Sequence, residues 1–263
     1  MLHYKTYVKG EGHEWVVFVH GAGGSSSIWF KQLREFRQHF NIVLVDLRGH
    51  GRSQKNIPLL KNYSFQALSR DVLHVLDHLS IARAHFIGIS LGTILIQTIA
   101  EMEPDRVASM TLGGAVMKLN FRSRFLIALG NIGKALLPFM WLYRLFAWVI
   151  MPKKRHEESR SLFIREAKKL CQKEFIRWFG LTLKVNPFLK QLRNKELPIP
   201  TLYIMGEEDY MFLPPIQAFI GKKKFSSLLV FADCGHVCNV DQPEKFNVAA
   251  IDFIQSRAMT PAI

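Results

Sequence analysis

The sequence predicts an α/β protein whose mainly parallel sheet is covered by helices on both faces. Short runs of Val, Ile, Leu and Phe without polar alternation recur along the chain, as strands buried on both faces require. Stretches with apolar residues at helical spacing lie between those runs. From about Met117 to Leu197, some 80 residues carry helical, aromatic and basic patterning but no strand pattern, which is too long for a loop.

Trp15–His20 (WVVFVH) reads as a first buried strand running into the glycine-rich turn HGAGGSSS. A helix over residues 28–39 follows, since Ile28, Trp29, Leu33 and Phe36 fall on one face. The second strand is Asn41–Asp46, followed by the polar turn LRGHGRSQ and a helix over about Phe65–Leu79. Ala84–Ile89 is the third strand, Leu91–Met102 an apolar helix stopped near Pro104, and Val107–Leu112 a further short strand. After the long insertion, Pro200–Gly206 and Ser227–Phe231 are two more strands. Pro243–Ser256 has the proline start and apolar spacing of a closing helix. The predicted organisation is a core of residues 1–116 and 198–263 with a helical lid of residues 117–197 over the carboxyl ends of the strands, where open α/β sheets place their sites.

A chain of 263 residues with 49% apolar residues buries a substantial core, which excludes both a peptide module and extensive disorder. The net charge of +14 invites a nucleic-acid reading, but its location argues against one. The insertion holds 18 basic and 5 acidic residues, a charge of +13, and leaves the rest of the chain at +1. The three cysteines, Cys171, Cys234 and Cys238, are expected as free thiols in a reducing compartment. The start MLHYKTYVKGEGHEW has no apolar run of a secretory signal, so cytoplasm is the expected location. Phe125–Met151 is apolar, yet Lys134 and Arg144 divide it into uncharged runs of nine, nine and seven residues, short of a spanning helix.

Gly88-Ile-Ser90-Leu-Gly92 joins a predicted strand to a predicted helix, which sets Ser90 on a sharp turn at a helix N-terminus as a candidate nucleophile. A serine hydroxyl needs a base within hydrogen-bond reach and a carboxylate to orient that base. Among ten histidines, His236 follows the last strand in the turn ADCGHVCN and is the candidate base, while His20 and His50 belong to glycine turns and are expected to organise backbone. Asp209, after the preceding strand, is the candidate carboxylate; its neighbours Glu207 and Glu208 are expected to face water. Attack on an acyl carbon creates an oxyanion, and the backbone amides of Leu91 and Ala22 are the candidate donors. Cys234 and Cys238 flank His236 as C-x-H-x-C without a second ligand pair, so packing is expected rather than a metal site.

Taken together, HGAGGSSSIW, DLRGHGRS, GISLGT, GEEDYMF and GHVCNVDQPEKF resemble the α/β-hydrolase fold family, in its single-domain esterase and lipase-like group. The match covers residues 1–116 and 198–258. The resemblance implies Ser90, Asp209 and His236 as a triad, Ala22 and Leu91 as oxyanion donors, a variable lid, and no metal or organic cofactor. It also leaves the reaction open. Ser90 disfavours the epoxide and haloalkane branches, which use an aspartate nucleophile, and the turn HGAGG lacks the proline of many carbon–carbon hydrolases.

The expected function is a carboxylesterase for a small-to-medium ester with an apolar acyl or aromatic group, contacted by lid aromatics among Phe121, Phe125, Phe139, Trp141, Phe146 and Trp148. One alternative keeps the triad for carbon–carbon or metabolite chemistry, with Arg122, Arg124 or Arg144 gripping a carboxylate. Another makes the chain a peripheral membrane or signalling protein whose basic lid touches anionic lipid. A small-molecule ester is the expected partner, nucleic acid is not, and the sequence assigns no oligomeric state.

Overall fold

The computed structural model describes residues 1–54, 63–119, 128, 130, 138–182, 185–194, 197–221 and 223–258. Its centre is a seven-stranded sheet of β1 (His3–Tyr7), β2 (Trp15–Val19), β3 (Asn41–Asp46), β4 (Ala84–Ile89), β5 (Val107–Gly113), β6 (Thr201–Gly206) and β7 (Ser226–Phe231). The spatial order is β1-β3-β2-β4-β5-β6-β7. All neighbours are parallel except β1, which pairs antiparallel with β3 in the register His3 opposite Asp46.

Every residue of β3, β4 and β6 is buried, which explains their unbroken apolar sequences: helices cover both faces. On one face α2 (Phe65–His78) and α3 (Leu91–Met102) pack Val72, Leu76, Leu95 and Ile99 against Val17 and Phe86. On the other, α1 (Phe30–Phe36) and the closing helix Pro243–Ala258 set Phe36, Phe246 and Ile254 around Phe18 and Ile204.

Two details depart from expectation. The helix read over residues 28–39 is a 3-10 turn, Ser26–Trp29, followed by α1, because Ser25 caps the turn through the amide of Ser27. The strand β1 was not expected; HYKTY is a half-buried edge strand with a lysine and no apolar run.

Between β5 and β6 the chain forms α4 (Phe139–Ile150), α5 (Glu157–Ala167), α6 (Gln172–Thr182) and α7 (Val185–Asn194). Leu142, Tyr143, Leu170, Phe175 and Phe179 give these helices a small core of their own. They also engage the loops at the carboxyl ends of the strands. Trp178 donates its indole N–H to the carbonyl of Arg48 at 3.0 Å, and Tyr143 rests on Gly23, where a Cβ would stand 2.6 Å from the tyrosine oxygen. Gly23 also has φ +71°, so glycine is required there twice over. The chain then runs through β6, α8 (Leu213–Ile220) and β7 to α9 (Pro243–Ala258). No helix among the described residues is long and apolar enough to cross a membrane.

Candidate active site

The sheet order changes direction at β2, with β3 on one side and β4 on the other, and such a switch point opens a crevice at the carboxyl ends of the strands. Ser90 lies there, between β4 and α3, with φ +53° and ψ −121°. A side chain is costly in that region, on the order of 1–3 kcal/mol, and persists when its surroundings fix it. Here they do. The Ser90 amide donates to Gly113 O at 3.0 Å, and Thr93 N–H and Thr93 Oγ1 donate to Ser90 O at 2.9 and 2.6 Å. Gly92 allows the turn to approach β2, because a Cβ would overlap the carbonyl oxygen of Val19 and stand 2.8 Å from that of His20.

The structure brings the three candidate side chains together. His236, after β7, receives the Ser90 hydroxyl at Nε2 over 2.9 Å and donates its Nδ1–H to Asp209 Oδ2 over 2.7 Å. A carboxylate only accepts, so Asp209 fixes this ring tautomer. Asp209 is itself buried and takes the Phe212 amide at Oδ1, 3.2 Å away, while the Phe212 ring leans on the imidazole at 4.9 Å.

Ala22 lies in the turn after β2 and lines the cavity beside Ser90; Leu91 is the first residue of α3, where helix amides lack intrahelical acceptors. Two histidines and an aspartate set the course of the first turn. His20 donates Nδ1–H to Gly21 O at 2.7 Å and accepts the Leu47 amide at Nε2 over 2.9 Å. His50 donates to Arg48 O at 3.0 Å and accepts the Gly23 amide at 2.9 Å. Each ring needs a lone pair on Nε2, so each is neutral, and burial lowers both pKa values, that of His50 to about 3. Asp46 accepts the Ser26 and Arg52 amides at 2.7 and 2.9 Å; burial pushes its carboxyl up, but these donors prevail and hold it below the usual range.

A cavity of about 130 Å³ opens beside Ser90 and His236. Its walls are mostly apolar, with Ile28 and Ile89 from the core and Ile150, Met151, Leu162 and Phe163 from the inserted helices. Ser159 and Glu166 of α5 are its other polar side chains among the described residues. Glu166 accepts from Ser25 Oγ and from Lys169 Nζ, both at 2.7 Å. Burial would raise its pKa, yet the Lys169 ammonium and the Ser25 hydroxyl outweigh burial and lower it.

The family model for the alpha/beta hydrolase fold matches residues 14–129. The match spans less than half of the chain, and together with the order of the sheet it shows the α/β-hydrolase fold. It is 28% identical to a protein of Acinetobacter baylyi named as a carbamate hydrolase, RutD, over 95% of this chain and 96% of that one. It is 25% identical to 3-oxoadipate enol-lactonase 1 of the same organism, over 92% and 88%. Among solved structures it superposes on MenH from S. aureus with a TM-score of 0.84 at 16% identity, over 98% of this chain and 100% of the other. It superposes on the esterase EaEST from Exiguobacterium antarcticum with a TM-score of 0.80 at 18% identity, over 97% and 95%.

Several expectations change. Glu207 is exposed as expected, but Glu208 is buried, because the insertion brings His156 Nε2 to 2.8 Å and Lys153 Nζ to 2.5 Å from its carboxylate. The insertion's aromatics mostly face away from the cavity. Phe139 packs on Tyr143 and Phe175, Phe146 stacks on Phe179, Trp141 and Trp148 are exposed, and the cavity's aromatic wall is Phe163. Phe121, Phe125, Arg122 and Arg124 lie outside the described residues; Arg144 is exposed and does not line the cavity. Cys234 and Cys238 are buried beside one another, and their mutual hydrogen bond, followed by burial, pushes the Cys234 thiol up. Glu166 and Ser159 carry no local sequence signal, since only the docking of α5 brings them to the cavity.

Proposed function

We propose that the protein is a serine hydrolase acting on small-to-medium carboxylic esters with an apolar acyl or aromatic group. The observation that carries this reading is the line from Asp209 through His236 to Ser90, with separations of 2.7 and 2.9 Å, opening on an apolar cavity. The Ser90 oxygen attacks the acyl carbon as His236 Nε2 takes its proton, and the Ala22 and Leu91 amides meet the oxyanion. His236 returns the proton to the leaving alcohol, and water then releases the acyl group by the same route reversed. An apolar cavity of about 150 Å³ holds a benzene ring, so the space here suits a short acyl or a single aromatic group. The relatives named as a carbamate hydrolase and an enol-lactonase support the reaction class, since hydrolysis of a carbamate or a lactone is attack on an acyl carbon. We place residues 117–197 as the lid of this site and residues 1–116 and 198–263 as its core.

A rate series on p-nitrophenyl esters of increasing acyl length, with Ser90→Ala beside the parent, tests the reading. Turnover is expected to be highest with short acyl groups and to fall by roughly 10⁴-fold or more in the variant. Equal rates in the two proteins would refute it.

A further inference from the structure

The helix α4 carries an exposed apolar face that neither the sheet nor the cavity accounts for. Trp141, Leu145, Trp148 and Val149 fall at i, i+4, i+7 and i+8, on one side of the helix, and are 66%, 45%, 55% and 43% exposed. The opposite side is satisfied, since Tyr143 and Ala147 are buried, as is Leu142 at the margin of the exposed face. Contiguous exposed tryptophan and leucine on a soluble surface are costly and mark a contact with something apolar.

The charges indicate what that something is. Arg144 is exposed at the edge of this face, three residues after Trp141 and four before Trp148, and α4 has no acidic residue. From Val107 to His156 the chain has eight Lys and Arg and not one Asp or Glu. Lys153 and Arg155 are engaged by Glu208 and Asp233, and Arg160 lies over the Trp148 ring at 3.8 Å. Arg144 and Lys154, both exposed, have no ion pair among the described residues. Tryptophans beside an apolar stripe, with cations and no carboxylates, match the interfacial zone of an anionic bilayer, where indole rings sit at headgroup depth and Lys and Arg meet lipid phosphates. A protein partner of ordinary composition would not need this exclusion of acid. The helix ends at Ile150 and Met151, which wall the cavity beside Ser90, so the exposed face runs along the same helix that closes the cavity at its C-terminal end.

We propose that the Trp141–Trp148 face of α4 docks the protein on anionic membrane surfaces, with the tryptophans seated at the lipid interface and Arg144 on headgroup phosphates. This proposal stands independently of the hydrolase reading, and its test uses no enzyme activity. The 263-residue chain is mixed with vesicles of phosphatidylcholine alone or with one third phosphatidylglycerol, and co-sedimentation and tryptophan emission are recorded. Three of the five tryptophans, Trp15, Trp29 and Trp178, are at least partly buried, so an emission shift reports mainly on Trp141 and Trp148. The expected result is sedimentation with anionic vesicles, a blue shift, weakening at high salt, and a loss of roughly tenfold or more in Trp141→Ser/Trp148→Ser and in Arg144→Glu. Circular dichroism confirms that these exposed positions leave the fold intact. No sedimentation with anionic vesicles overturns the proposal. So does unchanged sedimentation of the tryptophan variant, which would assign adsorption to basic side chains elsewhere. A dimer dissolved by the same substitutions would assign the face to a second copy, and a blue shift with duplex DNA but not with vesicles would assign it to nucleic acid; either result overturns the proposal.

Discussion

Glu166 places a charged carboxylate in the wall of an otherwise apolar cavity, and it stays charged because Ser25 and Lys169 both donate to it. A substrate whose acyl chain ends in a carboxylate would meet this charge at close range. Two like charges about 6 Å apart repel by roughly 3 kcal/mol at an effective dielectric constant near 20, and Lys169 cancels part of that. The gripping of an anionic substrate by insertion arginines is therefore disfavoured at this wall. Glu166→Gln keeps an acceptor for Ser25 while removing the charge. It is expected to raise kcat/KM for p-nitrophenyl hemisuccinate relative to the neutral butyrate by about tenfold, or about 1.4 kcal/mol. An unchanged ratio of the two specificity constants would remove Glu166 from substrate selection. The parent sequence holds no hint of this role, because Glu166 reaches the cavity only through the packing of α5, 141 residues away from Ser25 along the chain.

At the scale of elements, what the sequence reveals follows from how local the constraint is. The strands β3, β4 and β6 are legible because burial on both faces forces continuous apolar residues, and each matches its run of sequence. The turn at Ser90 is legible for a similar reason: close approach of α3 to β2 leaves no room for a Cβ at position 92. The edge strand β1 is not, since one partner and a half-exposed surface impose little on its five residues. The burial of Glu208 is not legible either, because it is imposed by His156 and Lys153, over fifty residues distant in sequence. The close approach at Gly92 makes a quantitative statement possible. In Gly92→Ala the new methyl meets backbone oxygens of β2, which cannot rotate away as a side chain would, so α3 must shift from the sheet. A loss of at least about 2 kcal/mol in urea unfolding is expected, against a gain of up to about 1 kcal/mol from helix propensity alone. A variant as stable as the parent would show that the turn has slack.

For the molecule as a whole, the loops at the carboxyl ends of the strands are held by neutral histidines, and this links the stability of the fold to pH. His20 and His50 each accept a backbone amide, from Leu47 and Gly23, and protonation would put a hydrogen where the lone pair must be. Their folded pKa values are lowered by burial, His50 to about 3, while the unfolded chain titrates near 6.5. Below pH 6.5 the unfolded state therefore binds protons that the folded state refuses. Stability is fully present above that pH and falls as the pH is lowered, by about 1.4 kcal/mol per pH unit for each such histidine. The lowered carboxyls of Asp46, Glu166 and Glu208 add their own loss only nearer pH 4, and Asp241, whose pKa is raised by burial, acts in the opposite sense. A comparison of parent with His50→Gln between pH 6.5 and 5 isolates the histidine, because the other groups are common to both proteins. The glutamine oxygen can still accept the Gly23 amide but does not titrate. The variant is expected to be less stable than the parent at pH 8 and to have a shallower decline of the urea midpoint from pH 6.5 to 5. Parallel declines would mean that the imidazole at position 50 takes up its proton in the folded state without disturbing the Gly23 turn.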